Sequence, residues 1–217
     1  VSLPDDAESA EHFTRRFESF TDVVFGFSLS FLAGRLVIPG RAHDVFAHPI
    51  GIAGFFVTFA FLAALWMLNH RMFRYYFAPE RIDIVLVFVE LCGVALIPYA
   101  LQIFLSFPGQ TEGVIFYTTV YATILASSAA VGFRGFRRTW RKWDVETRIK
   151  RWRTPLIQAS VAAILLTAAL LVTAGVPHAA YVYWLTLPIV AFVRRRRMLP
   201  PFALPTVDPA IRNAAES

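Results

Sequence analysis

Apolar residues along this chain gather into runs of about 20 residues, the length that crosses a hydrocarbon core roughly 30 Å thick. Six runs stand out, at 17–39, 46–69, 82–106, 113–133, 155–175 and 178–193. The sixth is short and carries Pro188. The pattern predicts an all-α, polytopic membrane protein with six transmembrane helices. The longest polar connection, about 134–154, is too short and too basic for a soluble core. There Phe133, Phe136, Trp140, Trp143 and Trp152 interleave with arginines and lysines, a pattern suited to helix ends and a short amphipathic piece at the headgroup level. Residues 1–197 therefore read as one six-helix transmembrane domain. Residues 198–217, with Pro200, Pro201, Pro205 and Pro209, read as a flexible cytoplasmic tail. No fixed-period repeat relates the spans, so an inverted-repeat transporter finds no support.

Composition agrees: 57% of residues are hydrophobic, 15% aromatic, and mean hydropathy is +0.54. The formal charge of +6 sorts by side once the spans are drawn. Arg15 and Arg16 precede the first span, Arg71, Arg74 and Arg81 join the second to the third, and nine basic residues from Arg134 to Arg153 join the fourth to the fifth. Arg194 to Arg197 follow the sixth, and only Arg35 and Arg41 fall on the other face. The positive-inside rule then puts both termini in the cytoplasm of a multi-pass cell-membrane protein. Anionic headgroups and topology account for the basic excess, so no nucleic-acid partner is expected. Val1 to Glu11 is polar and acidic, unlike a cleavable leader, and the first run is expected to stay in the mature protein. The single cysteine, Cys92, lies in the third run and is expected to be a buried small hydrophobe. No nucleophile stands near a base, and no phosphate loop or catalytic carboxylate pair occurs, which argues against an enzyme. His43, His48 and His178 share the outer side but lack the further close ligand a metal site needs.

Charge at the edge of the first run is costly. An ionisable side chain inside a spanning helix costs roughly 2.5–3.5 kcal/mol on insertion scales, so Arg16 and Asp22 are expected to have a role. They stand six residues apart, about 9 Å of helical rise, and so need partners other than each other. His70, at the same end of the second span, makes an Arg–His–Asp network between the first two helices geometrically available.

The string Arg16-x-x-x-Phe20-Thr21-Asp22 resembles the R-x-x-x-F-S-D signature of the prokaryotic TMEM175-like potassium channels, with threonine for serine. Trp66-x-x-x-His70 is similar to a second element of that family. The resemblance implies a homotetramer in which the first helix of each subunit lines a central pore, without the TVGYG filter loop. It implies potassium ions as the permeant species and no cofactor. It also implies that Arg16, Phe20, Thr21, Asp22, Trp66 and His70 position the first helix rather than touch the ion. Phe27, Ser30, Phe31 and Gly34 share one helical face. By the resemblance, Phe27 is the apolar constriction and Ser30 the hydroxyl layer, where the family usually has an aliphatic residue and a threonine. The rival reading is a proton-coupled secondary transporter with Glu90, Asp22 and His70 as relay.

Overall fold

The computed structural model describes residues 7–34, 36, 40–41, 49–107 and 110–176. The sixth predicted span, the tail from Met198, and Arg35, His43, Asp44, His48 and His178 lie outside the described residues. The chain divides into two units, Val1–Tyr183 and Trp184–Ser217, and the described helices belong to the first. They are α1 (Ala7–Gly34), α2 (Pro49–Tyr75), α3 (Arg81–Ser106), α4 (Thr111–Thr139) and α5 (Val145–Thr173), with one 3-10 turn at Trp140–Lys142.

Among the described residues, four stretches, Ile52–Tyr75, Arg81–Ser106, Thr111–Lys142 and Val145–Thr173, are long and apolar enough to cross a membrane. This is a multi-pass, all-α membrane protein. α1 is not among the four, because Glu18, Ser19, Thr21, Asp22, Ser28 and Ser30 punctuate its apolar positions. It also begins ten residues before the predicted run and stops at Gly34.

α4 is the spine, packing along α3 on one side and α5 on the other, while α1 lies across α3 and α2. Small residues make the close approach feasible. At Gly132 an added Cβ would overlap the Pro155 ring of α5, and at Gly135 it would overlap the Tyr76 backbone just past α2. The core gathers Phe25, Leu62, Val87, Ile97, Tyr121 and Ile124, all nearly inaccessible.

The basic stretch at 134–154 is mostly helix. α4 runs on to Thr139 and α5 already starts at Val145, so the non-helical link shrinks to a turn. Asp144 sets the restart: its carboxylate accepts from the Thr147 backbone N–H at 3.2 Å, capping α5. The hydrogen bonds from Thr147 hold the Asp144 carboxyl below its usual value.

Cys92 corrects the expectation of burial: it is exposed. It shares the outward face of α3 with Val85, Val89, Leu96 and Tyr99, all exposed apolar residues. A helix that is apolar nearly all round carries little information about which face turns inward.

Candidate functional site

α1 and α2 run antiparallel, and residues one turn apart on one meet residues one turn apart on the other. Glu18 Oε1 lies 2.8 Å from His70 Nδ1, and Asp22 Oδ1 accepts from Trp66 Nε1 at 2.7 Å. Between these rungs, buried Thr21 accepts from Asn69 Nδ2 at 3.0 Å and donates to the Glu18 carbonyl at 2.7 Å. Trp66 and His70 stack with centroids 6.4 Å apart, which aligns both donors toward α1. At the next turn Phe17 packs among Phe13, Phe73, Phe77 and Phe88, fastening α1 to α2 and α3.

The structure thus joins four of the residues anticipated from sequence, Thr21, Asp22, Trp66 and His70, in one α1–α2 joint. Two of its members, Glu18 and Asn69, were missed by sequence reasoning. Both were visible as polar residues within apolar runs, Glu18 one turn before Asp22 and Asn69 beside His70. His70 meets Glu18 rather than Asp22. Arg16 is exposed and forms no ion pair with another described residue. Phe20 is 46% exposed and borders the joint through Phe17 and Phe88.

Replacing Asp22 with asparagine keeps an acceptor for the Trp66 indole but removes the charge. Neutral bonds are roughly half as strong as charge-assisted ones, so the joint should lose about 1 kcal/mol. The expected result is a lower thermal midpoint for the detergent-purified variant than for the parent chain, and an unchanged midpoint would refute the role of this bond in the joint.

The opposite face of α1 is exposed rather than packed on the described helices. Val23 is 53% exposed, Phe27 66% and Phe31 61%, and Ser30 and Gly34 are exposed beside them. Meanwhile Phe17, Thr21, Phe25, Ser28 and Leu32 are buried against α2 and α3. The Ser30 hydroxyl donates to the Gly26 carbonyl at 3.0 Å, which spends its proton and leaves its oxygen lone pairs as acceptors. An added Cβ at Gly34 would meet nothing within 4 Å, so this end of the face is open. All members of the expected constriction therefore sit on one exposed stripe.

A second polar cluster ties the basic end of the bundle and was also missed. Asp83, fully buried near the start of α3, accepts from Arg134 Nε at 2.5 Å and from Arg138 Nη2. Glu80 accepts from Arg134 Nη2 at 2.7 Å and pairs with Arg138 Nη1 at 2.9 Å. Arg138 also donates to the Tyr76 carbonyl at 3.0 Å, bringing in the end of α2. Acids at a helix start facing bases at a neighbouring helix end complement both macrodipoles. The sequence hint was their spacing, Glu80 and Asp83 three apart and Arg134 and Arg138 four apart.

Glu90 is buried in α3 near Ser128 of α4, whose hydroxyl accepts from Gln158 Nε2 of α5 at 3.1 Å, and Glu90 Oε2 has no hydrogen-bond partner among the described residues. Asp22 and His70 have separate partners, Trp66 and Glu18.

Residues 16–98 match a family model described as "Endosomal/lysosomal potassium channel TMEM175". The segment runs from Arg16 to within α3 and includes both motifs of the α1–α2 joint. Among solved structures, the fold is similar to the crystal structure of a variant of the potassium channel MtTMEM175 in complex with a nanobody–MBP fusion protein. The TM-score is 0.67 at 16% identity, covering 83% of this chain and 92% of that chain. At that identity the likeness speaks for the fold. No curated protein matches the sequence.

Proposed function

We infer that this chain, a member of the TMEM175 potassium channel family, assembles as a homotetramer that conducts potassium along a central path lined by α1. The observation that carries this reading is the stripe Val23, Phe27, Ser30 and Gly34 on α1, apolar or weakly polar yet exposed. A helix cemented on its other side by paired polar rungs presents such a face to a symmetric partner rather than to its own bundle. Around a symmetry axis, Phe27 forms an apolar ring that gates by dewetting, and Ser30 offers a ring of hydroxyl oxygens that replaces part of an ion's hydration shell. Thr21, Asp22, Trp66 and His70, with Glu18 and Asn69, hold α1 in position, while Arg16 stands exposed at the same end. The bundle's basic end faces the cytoplasm in this reading, with six spans and both termini inside. A proton relay through Glu90, Asp22 and His70 gains no support, because Asp22 bonds Trp66 and His70 meets Glu18 rather than one another.

The test is ion flux through the purified protein in liposomes under a potassium gradient, with a voltage-sensitive dye. Flux that persists without a proton gradient and is abolished by Ser30→Lys is expected. Flux that needs a proton gradient and disappears in Glu90→Gln would make the protein a carrier.

A further inference from the structure

Away from α1, a cavity of about 150 Å³ opens at the basic end of the bundle, where α2 ends and α5 begins. Leu68 and Met72 of α2 form an apolar wall, and Arg71, Arg151, Thr154 and Gln158 supply the polar groups. The two arginines line the same cavity as Tyr76, which brings a phenolic hydroxyl to it. That hydroxyl in turn donates to the Arg151 carbonyl at 2.9 Å.

These guanidiniums differ from Arg134 and Arg138 in one respect. Among the described residues neither Arg71 nor Arg151 pairs with a carboxylate. Arg151 is instead held by rings, 4.3 Å from the Tyr75 centroid and 4.1 Å from that of Trp143. Stacking fixes the guanidinium plane and leaves its N–H edge to a ligand, the geometry that suits a phosphate fork. Two positive charges beside one cavity, with Thr154 and Gln158 as further donors, ask for an anion.

We propose that this cavity is a binding site for the phosphate of an anionic phospholipid headgroup. Its volume of about 150 Å³ has room for a phosphate group. The acyl chains would run along the exposed apolar surface of α5, where Leu156 is 44% exposed one residue beyond the cavity's Pro155. Position favours a lipid over a free anion. The arginines lie where the spanning stretch of α2 ends at Tyr75, the level at which headgroups meet hydrocarbon. A net-negative headgroup is selected because a zwitterionic one brings its own amine toward Arg71 and Arg151.

The test titrates the detergent-purified full chain with dioctanoyl-phosphatidylglycerol, dioctanoyl-phosphatidylcholine and inorganic phosphate, reading bound ligand by native mass spectrometry. Phosphatidylglycerol is expected to bind at least about tenfold tighter than either of the others. At about 1 kcal/mol per arginine, Arg71→Gln and Arg151→Gln should each weaken it about fivefold, whereas Arg81→Gln, an exposed arginine at the same end, should change it less than about twofold. Equal binding of phosphatidylcholine overturns the proposal. So does inorganic phosphate binding as tightly as phosphatidylglycerol, which would make this a free-anion site. An equal loss in Arg81→Gln would reveal diffuse surface charge and also overturn it. Should Arg151→Gln unfold through loss of its ring contacts, Arg71→Gln decides the matter.

Discussion

Replacing Asp83 with alanine is expected to lower the stability of the detergent-solubilised protein by about 3 kcal/mol, the largest effect of any single polar substitution in the bundle. Asp83 is fully buried and is the carboxylate on which Arg134 and Arg138 converge. Removing one partner of a buried ion pair costs roughly 3–5 kcal/mol, because the remaining charge is left without compensation. The lower end applies here, since the Arg134 and Arg138 side chains are 32% and 27% exposed and water shares their solvation. Glu80, at 49% exposure, keeps contact with both and cannot replace a buried acceptor. The loss reaches beyond α3 and α4, because Arg138 also carries the Tyr76 carbonyl at the end of α2. A thermal melt followed by monodispersity in detergent checks the prediction; a midpoint unchanged in Asp83→Ala would refute it. Asp83→Asn should fall between, since it keeps acceptor geometry and loses charge.

Phe27→Ala is expected to leave folding and assembly intact and to change conduction. Phe27 is 66% exposed in the protomer, so truncation opens no cavity in its core. In the proposed tetramer the same change deletes a ring of aromatic groups at the narrowest point, letting water and hydrated ions through. Unitary conductance should rise by about threefold or more, and the preference for potassium over sodium should fall toward unity. Planar-bilayer recordings under bi-ionic conditions measure both. Unchanged conductance and preference would remove Phe27 from the ion path, and the exposed stripe of α1 would then be a packing surface. Ser30→Ala separates the two roles, since it spares the apolar ring and removes the oxygen lone pairs that Ser30 presents while donating to Gly26.

How much of this was readable from sequence differs from residue to residue. The spans at 82–106 and 46–69 came out close to α3 and α2 because a continuous apolar run needs no tertiary information to be a membrane helix. The Arg16-x-x-x-Phe20-Thr21-Asp22 and Trp66-x-x-x-His70 strings named the right pair of helices for the joint. They did not name the pairing within it. Glu18 and Asp22 are both within a turn of the His70 level, and the choice rests on the stagger set by Phe17 against Phe73 and Phe77. The basic stretch at 134–154 read as a polar connection because its charges mask helical continuity, which Asp144 restores by capping α5.

From sequence alone the chain's class, its helical membrane character and the short polar motifs of α1 and α2 were legible, since each depends on local composition and short spacing. Tertiary structure alone decided that Asp83 meets Arg134 and Arg138, 51 and 55 residues away, and that Cys92 faces outward. It likewise decided that Arg71 and Arg151 share a cavity. The physical reason is common to all three. A helix that is apolar around most of its circumference encodes its length but not its rotation, and rotation is set by where small residues such as Gly132 and Gly135 let neighbouring backbones approach.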